Sequence, residues 1–254
     1  KYAIVTVPAA PVRKKPNQRA EMCNQLLLGE AVKIIKIKHE KWLKVESLYD
    51  GYKGWLTNHL VTFTDKETAQ SSSNKITTGL LSELTINSGA MNIPAGSSLF
   101  QFNKKTGGIE GFQYEFSGNF TEPGNIKNRT DELITNAQGW LNAPYLWGGK
   151  TILGVDCSGF SQTMFKLIGV AIPRDAWQQA QEGKRIKKLE DAMPGDLAFF
   201  DDKDEIVHVG ILLGPDKIIH AAGKVRIDKI DKKGITNSET GERTHNLKLI
   251  KRFL

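Results

Sequence analysis

Cys157, His208 and His220 are the side chains in this 254-residue chain whose types and spacing could support nucleophilic catalysis. Cys157 sits in GVDCSGF, where Asp156 can cap a helix that runs through Phe160, Met164, Phe165, Leu167 and Ile168 and stops at Gly169. A thiol at a helix start feels the positive end of the helix and its free N–H groups, so the placement predicts a lowered pKa and a nucleophilic thiolate. His208 and His220 fall in two strands joined by Gly214-Pro215-Asp216. A hairpin centred on Gly214 sets the two histidines directly opposite each other, with Cβ atoms about 4.5–5.5 Å apart on one face. Val207, Val209, Ile211 and Leu213 then form the other, apolar face. A base beside a group able to hold its ring is the nucleophile–base–orienter logic of cysteine hydrolases.

On spacing alone, other readings stay open. Cys157 could be a small buried residue, and the histidines two satisfied sheet residues. The three together could ligate a catalytic zinc, although no fourth ligand and no H-E-x-x-H string accompanies them. The acidic run 201–205, DDKDE, resembles part of a calcium loop. It lacks the Gly and terminal Glu spacing of an EF-hand and reads as a solvated hairpin loop. His39, His59 and His245 have no partners at informative spacing, and Cys23 in its apolar strand reads as core. No metal and no cofactor is expected.

Stepping outward to the supporting elements, residues 1–63 show short apolar runs punctuated by Pro8, Pro11, Pro16 and Asp50-Gly51, the pattern of a small β barrel. Residues 64–75 are polar and Ser-rich and read as a linker, and 76–127 carry a second set of short strands separated by glycines. From about residue 128 the period changes. Helices are predicted over 128–142, 156–168 and 175–182, then strands at 196–200, 206–213, 217–222, 224–230 and 246–253. Helices followed by a run of strands predict an α+β domain with an antiparallel sheet.

Composition narrows the function classes. Two cysteines exclude a disulfide scaffold and any four-thiolate zinc or iron–sulfur site within the chain. No apolar stretch approaches transmembrane length. The net charge of +7 comes without the basic–aromatic interleaving of a base-stacking surface. The lysines of residues 31–45 alternate with apolar residues as the solvated face of a strand would. No nucleic-acid partner is expected.

Six ordered strings, APYLWGG (143–149), GVDCSGF (154–160), IPRDAWQQ (172–179), MPGDLAFF (193–200), VHVGILLG (207–214) and IIHA (218–221), resemble the NlpC/P60 family of papain-related cell-wall cysteine peptidases. The resemblance implies Cys157 as nucleophile, His208 as general base, His220 as the ring-orienting member and Tyr145 as oxyanion support. GYKGWL (51–56) and AEMCNQLLLGE (20–30) resemble the bacterial SH3 (SH3b) domains of murein-peptide-recycling members. The implied architecture is two small all-β SH3-like barrels (1–63, and 64–127 including the linker) followed by an α+β papain-like domain (128–254). The implied activity is γ-D-glutamyl-L-diamino acid endopeptidase, acting on murein peptides with a free N-terminal L-Ala. Glu21, Tyr52 and Asp156 would pair the substrate ammonium, and Ser158 would contact its D-Glu portion. Many relatives carry Ser or Thr where this chain has Ala176, so no side-chain contact is expected there. Remodelling of intact peptidoglycan and non-catalytic wall binding are the alternatives. A monomer in the cell envelope, with its leader trimmed, is expected, and the cytoplasm is the other compartment considered.

Overall fold

A computed structural model describes residues 1–71 and 75–254, and its chain forms two compact units. One comprises Lys1–Asn125 with Trp147–Ile152, and the other Ile126–Leu146 with Leu153–Leu254.

The first unit begins with β1 (Tyr2–Val5), β2 (Ala9–Arg13), β3 (Met22–Leu27), β4 (Ala31–Lys38), β5 (Trp42–Ser47), β6 (Lys53–Thr57) and β7 (Val61–Thr64). They form one antiparallel sheet in the order β3-β2-β6-β5-β4-β1-β7. Period-two patterning explains the barrel. Val12, Leu43, Val45, Leu56 and Val61 turn into one apolar core, which also takes up Cys23 as expected. The outer half of β4 departs from alternation, because Ile35 and Ile37 are exposed along with Lys36 and Lys38 beyond a bulge between Ile34 and Lys36.

The linker expected over 64–75 contains a short helix, α1 (Lys66–Gln70). Asp65 caps it, its carboxylate accepting the Thr68 N–H at 2.8 Å. Residues 72–74 of that segment lie outside the described residues.

Next come β8 (Ile76–Thr77), β9 (Leu81–Ile86), β10 (Gly89–Pro94), β11 (Thr106–Ile109), β12 (Phe112–Phe116) and β13 (Phe120–Thr121). They give a four-stranded sheet, β10-β9-β12-β11, and a β13-β8 ribbon. Two SH3-like barrels were expected, but the described residues hold one. The reason is a shared core: Ile4 and Leu28 of the barrel pack with Leu84, Ile93, Phe100, Phe102, Tyr114 and Phe116. Gly29 makes the close approach possible. It has φ +80°, and a Cβ there would fall 1.8 Å from the Ser98 carbonyl oxygen.

The second unit opens with α2 (Arg129–Gly139), capped by Asn128 and ending at the glycine that weakens its last turn. The short strand β15 (Gly154–Val155) precedes α3 (Cys157–Leu167), while β14 (Lys150–Thr151) belongs to the segment Trp147–Ile152 of the first unit. Helix α4 (Ala176–Gln179) is shorter than the expected 175–182. The sheet strands are β16 (Lys184–Ile186), β17 (Leu197–Asp202), β18 (Glu205–Leu212), β19 (Lys217–Ala222), β20 (Lys224–Asp231), β21 (Gly234–Thr236) and β22 (Arg243–Arg252). Their order is β16-β22-β17-β18-β19-β20-β21, all antiparallel, and β21 also pairs with β22. The six strands β17 to β22 therefore close a ring, with β16 outside it. Helix α3 packs on β18 and β19. The acidic run 201–205 forms the tight β17–β18 turn, with Lys203 and Asp204 at φ 49° and 69°.

Candidate active site

The site is assembled by the N-terminus of α3 and by three neighbouring strands of the ring. Cys157 is the first residue of α3, a buried free thiol. Asp156 caps the helix, its Oδ1 accepting the Gly159 N–H at 2.7 Å. The same carboxylate is clamped by Arg174, whose Nη1 and Nη2 donate to Oδ1 at 3.0 Å and Oδ2 at 2.7 Å. Arg174 Nη1 also donates to Ser158 Oγ at 2.9 Å, so the guanidinium holds both residues that flank the cysteine. Asp156, Ser158 and Arg174 are all buried, which makes this bidentate, charge-assisted contact necessary to offset desolvation.

The histidines meet as a hydrogen-bonded pair, His208 Nε2 to His220 Nδ1 at 2.7 Å. The register is not the expected one. Ile211 pairs with Ile219 and Leu212 with Ile218, and Leu213 N–H bonds to Lys217 C=O across a three-residue loop. The hairpin is thus centred on Pro215 rather than Gly214, with Gly214, Pro215 and Asp216 as its loop. Continuing that register sets His220 opposite Gly210 and His208 one diagonal step away, still on the same side. Gly210 leaves the space this needs, since a Cβ there would lie 2.8 Å from His220 Cβ. Val209 and Ile211 are buried on the opposite side as expected, whereas Val207 is 50% exposed.

The line continues into β20. His220 Nε2 lies 3.0 Å from Asp228 Oδ2, and Asp228 is itself buried, receiving the Ser238 N–H at 2.8 Å and Arg226 Nη2 at 3.1 Å. Sequence reasoning missed Asp228, although a signal existed. The hairpin around Gly223 pairs His220 with Arg226, which puts Asp228 on the next diagonal. It also missed Arg174 as the partner of Asp156. His245, read as partnerless, stacks on His208 with ring centroids 4.1 Å apart, because β22 closes the ring beside β17.

Electrostatics overturn one expectation. The helix start does not lower the Cys157 thiol. Burial, followed by the Asp156 charge, pushes it up to about 12, against hydrogen bonds from the Val209 and Ser158 backbones and the charge of Arg174. Burial likewise holds His208 well below the usual imidazole range, helped by His220 and His245. With both charged forms disfavoured, the resting pair is thiol and neutral imidazole. The Val209 contact also puts the thiol against the residue next to His208. Half-buried Tyr145 has its phenol raised by burial and then by the charges of Cys157 and Asp156 when these ionise.

Glu21 and Tyr52 belong to the first unit. Glu21 ion-pairs with Lys14 at 2.8 Å and accepts Trp147 Nε1–H at 2.8 Å, contacts that lower its carboxyl. Tyr52 Oη donates to the Cys23 carbonyl at 3.4 Å. Among the described residues, no cluster of His, Cys, Asp or Glu is arranged to hold a metal ion, and no helix is long and apolar enough to cross a membrane.

Residues 142–244 match the model of the NlpC/P60 family, and residues 12–59 that of the bacterial dipeptidyl-peptidase Sh3 domain. A Haemophilus influenzae protein named "Probable endopeptidase" is 35% identical over 131 residues, 50% of this chain and 79% of that protein. The chain belongs to the NlpC/P60 family. It carries that family's cysteine-peptidase domain together with a bacterial SH3 domain. The gamma-D-glutamyl-L-lysine dipeptidyl-peptidase of Bacillus subtilis is 43% identical over 98 residues, 37% of this chain but only 33% of that protein. The NlpC/P60 family protein of Bacillus cereus, a crystal structure, superposes over 100% of both chains with a TM-score of 0.82 at 22% identity, which shows a common fold.

Proposed function

We propose that the protein is a cysteine peptidase of peptidoglycan peptides, cleaving the γ-D-Glu–diamino acid bond of murein peptides with a free N-terminal L-Ala during cell-wall peptide recycling. The observation that carries the reading is a buried thiol at the start of α3, beside a hydrogen-bonded histidine pair. The similarity to the gamma-D-glutamyl-L-lysine dipeptidyl-peptidase of Bacillus subtilis supports the choice of bond.

In this mechanism His208 takes the Cys157 proton as the sulfur attacks the scissile carbonyl carbon. Because burial disfavours both charges at rest, the thiolate–imidazolium pair forms at the moment of attack. The Cys157 backbone N–H, one of the helix's orphan donors, and the Tyr145 hydroxyl stabilise the oxyanion. His208 then gives its proton to the departing amine, and water hydrolyses the thioester. Glu21, Tyr52 and Asp156 as ammonium partners, and Ser158 at the D-Glu portion, belong to this proposal. So do the division 1–63, 64–127 and 128–254, the monomeric state and an envelope location.

Purified protein should release L-Lys from L-Ala-γ-D-Glu-L-Lys and spare the N-acetylated peptide. Equal cleavage of both would shift the reading to endopeptidase action on intact wall. The variant Cys157→Ser should lose turnover by at least about a thousandfold, and retained activity would overturn the cysteine mechanism.

A further inference from the structure

His220 is commonly enough explained as the group that holds the base, but a neutral histidine can hold it in two ways. Its Nδ1 can accept a proton from His208 or donate one to it, and only the first choice leaves His208 with the right lone pair. The structure contains the group that decides. Asp228 Oδ2 stands 3.0 Å from His220 Nε2, is 2% exposed, and lies on the same side of the sheet.

We infer that Asp228 is a positioning residue of the reaction, setting the proton arrangement of both histidines through the line Asp228–His220–His208. The inference rests on His208 being the base. An ionised carboxylate only accepts, so the proton of His220 must be on Nε2. In a neutral His220 ring Nδ1 is then bare and accepts. The 2.7 Å contact therefore requires the proton on His208 Nε2, and the lone pair of His208 is left on Nδ1 for the Cys157 thiol. When His208 takes that proton, it becomes an imidazolium whose Nε2–H is already bonded, and the buried negative charge lies one ring away.

Asp228 is built to stay ionised. Burial alone would raise its carboxyl. Hydrogen bonds from His220, the Ser238 N–H and Arg226 outweigh that and hold it well below the usual carboxylate range. Arg226 is fixed in turn: Nη2 donates to Asn237 Oδ1 at 2.6 Å, and Nη1 lies 3.2 Å from Glu239 Oε2.

The test uses the intact chain labelled with 15N-histidine. In the wild type, His220 should show a protonated Nε2 and a bare, hydrogen-bonded Nδ1, with His208 protonated at Nε2. A proton on His220 Nδ1 overturns the inference, whether or not any variant folds. In Asp228→Asn the amide can either accept from or donate to His220, so the arrangement is no longer enforced. We expect kcat to fall by between about tenfold and the roughly 10⁴-fold found when a carboxylate bonded directly to the base is replaced, because Asp228 acts through an intervening ring. KM should stay within about twofold, and the His220 resonances should shift under conditions where the chain remains folded. Unchanged kcat, or a loss confined to KM and stability, overturns it. If His208 is not the base, His208→Ala remains active, a failure distinct from these.

Discussion

The sheet over residues 2–64 and the closed ring over residues 197–252 are both antiparallel, yet they bury different chemistry. The inward side of the first is filled by aliphatic residues such as Leu26, Leu43, Val45 and Leu56. The ring has an apolar cluster of its own in Phe200, Leu212, Ile218 and Ile230. On those same strands and the same sides it also places His208, His220 and Asp228, each nearly inaccessible. An aliphatic core tolerates conservative repacking, because its stabilisation is non-directional. A buried polar line does not, since every member must find its partner or pay desolvation.

Three experiments press on that contrast. Removing the charge beside the polar line should have the largest effect. Arg174→Met leaves the buried Asp156 carboxylate without its bidentate partner, so we expect a loss of about 3–5 kcal/mol in unfolding free energy together with most of the peptidase activity. Denaturant melts and hydrolysis assays check it, and a variant as stable as wild type would mean that solvent or another cation reaches Asp156. Leu56→Ala in the first sheet should cost about 3 kcal/mol through a cavity. Its kcat should be unchanged under conditions where the chain stays folded, and a fall in kcat without a fall in stability would break the distinction between the two sheets.

The smallest expected effect is a pH dependence. His208 sits well below its ordinary 6.5, and His245 is held at about 4 by burial and by the neighbouring His220. Below pH 6.5 the unfolded chain therefore binds protons that the folded chain refuses. Stability is full above that pH and declines as the pH falls toward 4, with about one to two protons taken up on unfolding. The ionised Asp228 adds a further loss below pH 3.8. Melting curves from pH 8 to 4 read this directly, and His245→Gln should flatten part of the slope. An unchanged slope would show that His245 titrates normally.

Much of the site was legible because its signals are local. The cap and apolar period of 156–168 predicted α3 nearly to the residue, and strand alternation brought His208 and His220 to one face. Non-local signals were read poorly. The second β region was expected to stand as its own barrel, but Ile4, Leu28 and Gly29 tie it to the first through one core. His245 was read as partnerless because its stacking on His208 depends on β22 pairing with β17, two strands far apart in sequence that no turn joins.

What the sequence by itself determined is the order of elements, the residue types of the proposed nucleophile and base, and the strings shared with a peptidase family, since capping, periodicity and turn chemistry act over a few residues. Tertiary structure decided the hairpin register, the clamp from Arg174, the recruitment of Asp228, and the sign of the Cys157 shift. The last is the clearest case. Helix position argues for a lower thiol pKa, but desolvation depends on everything packed around the sulfur and here outweighs it.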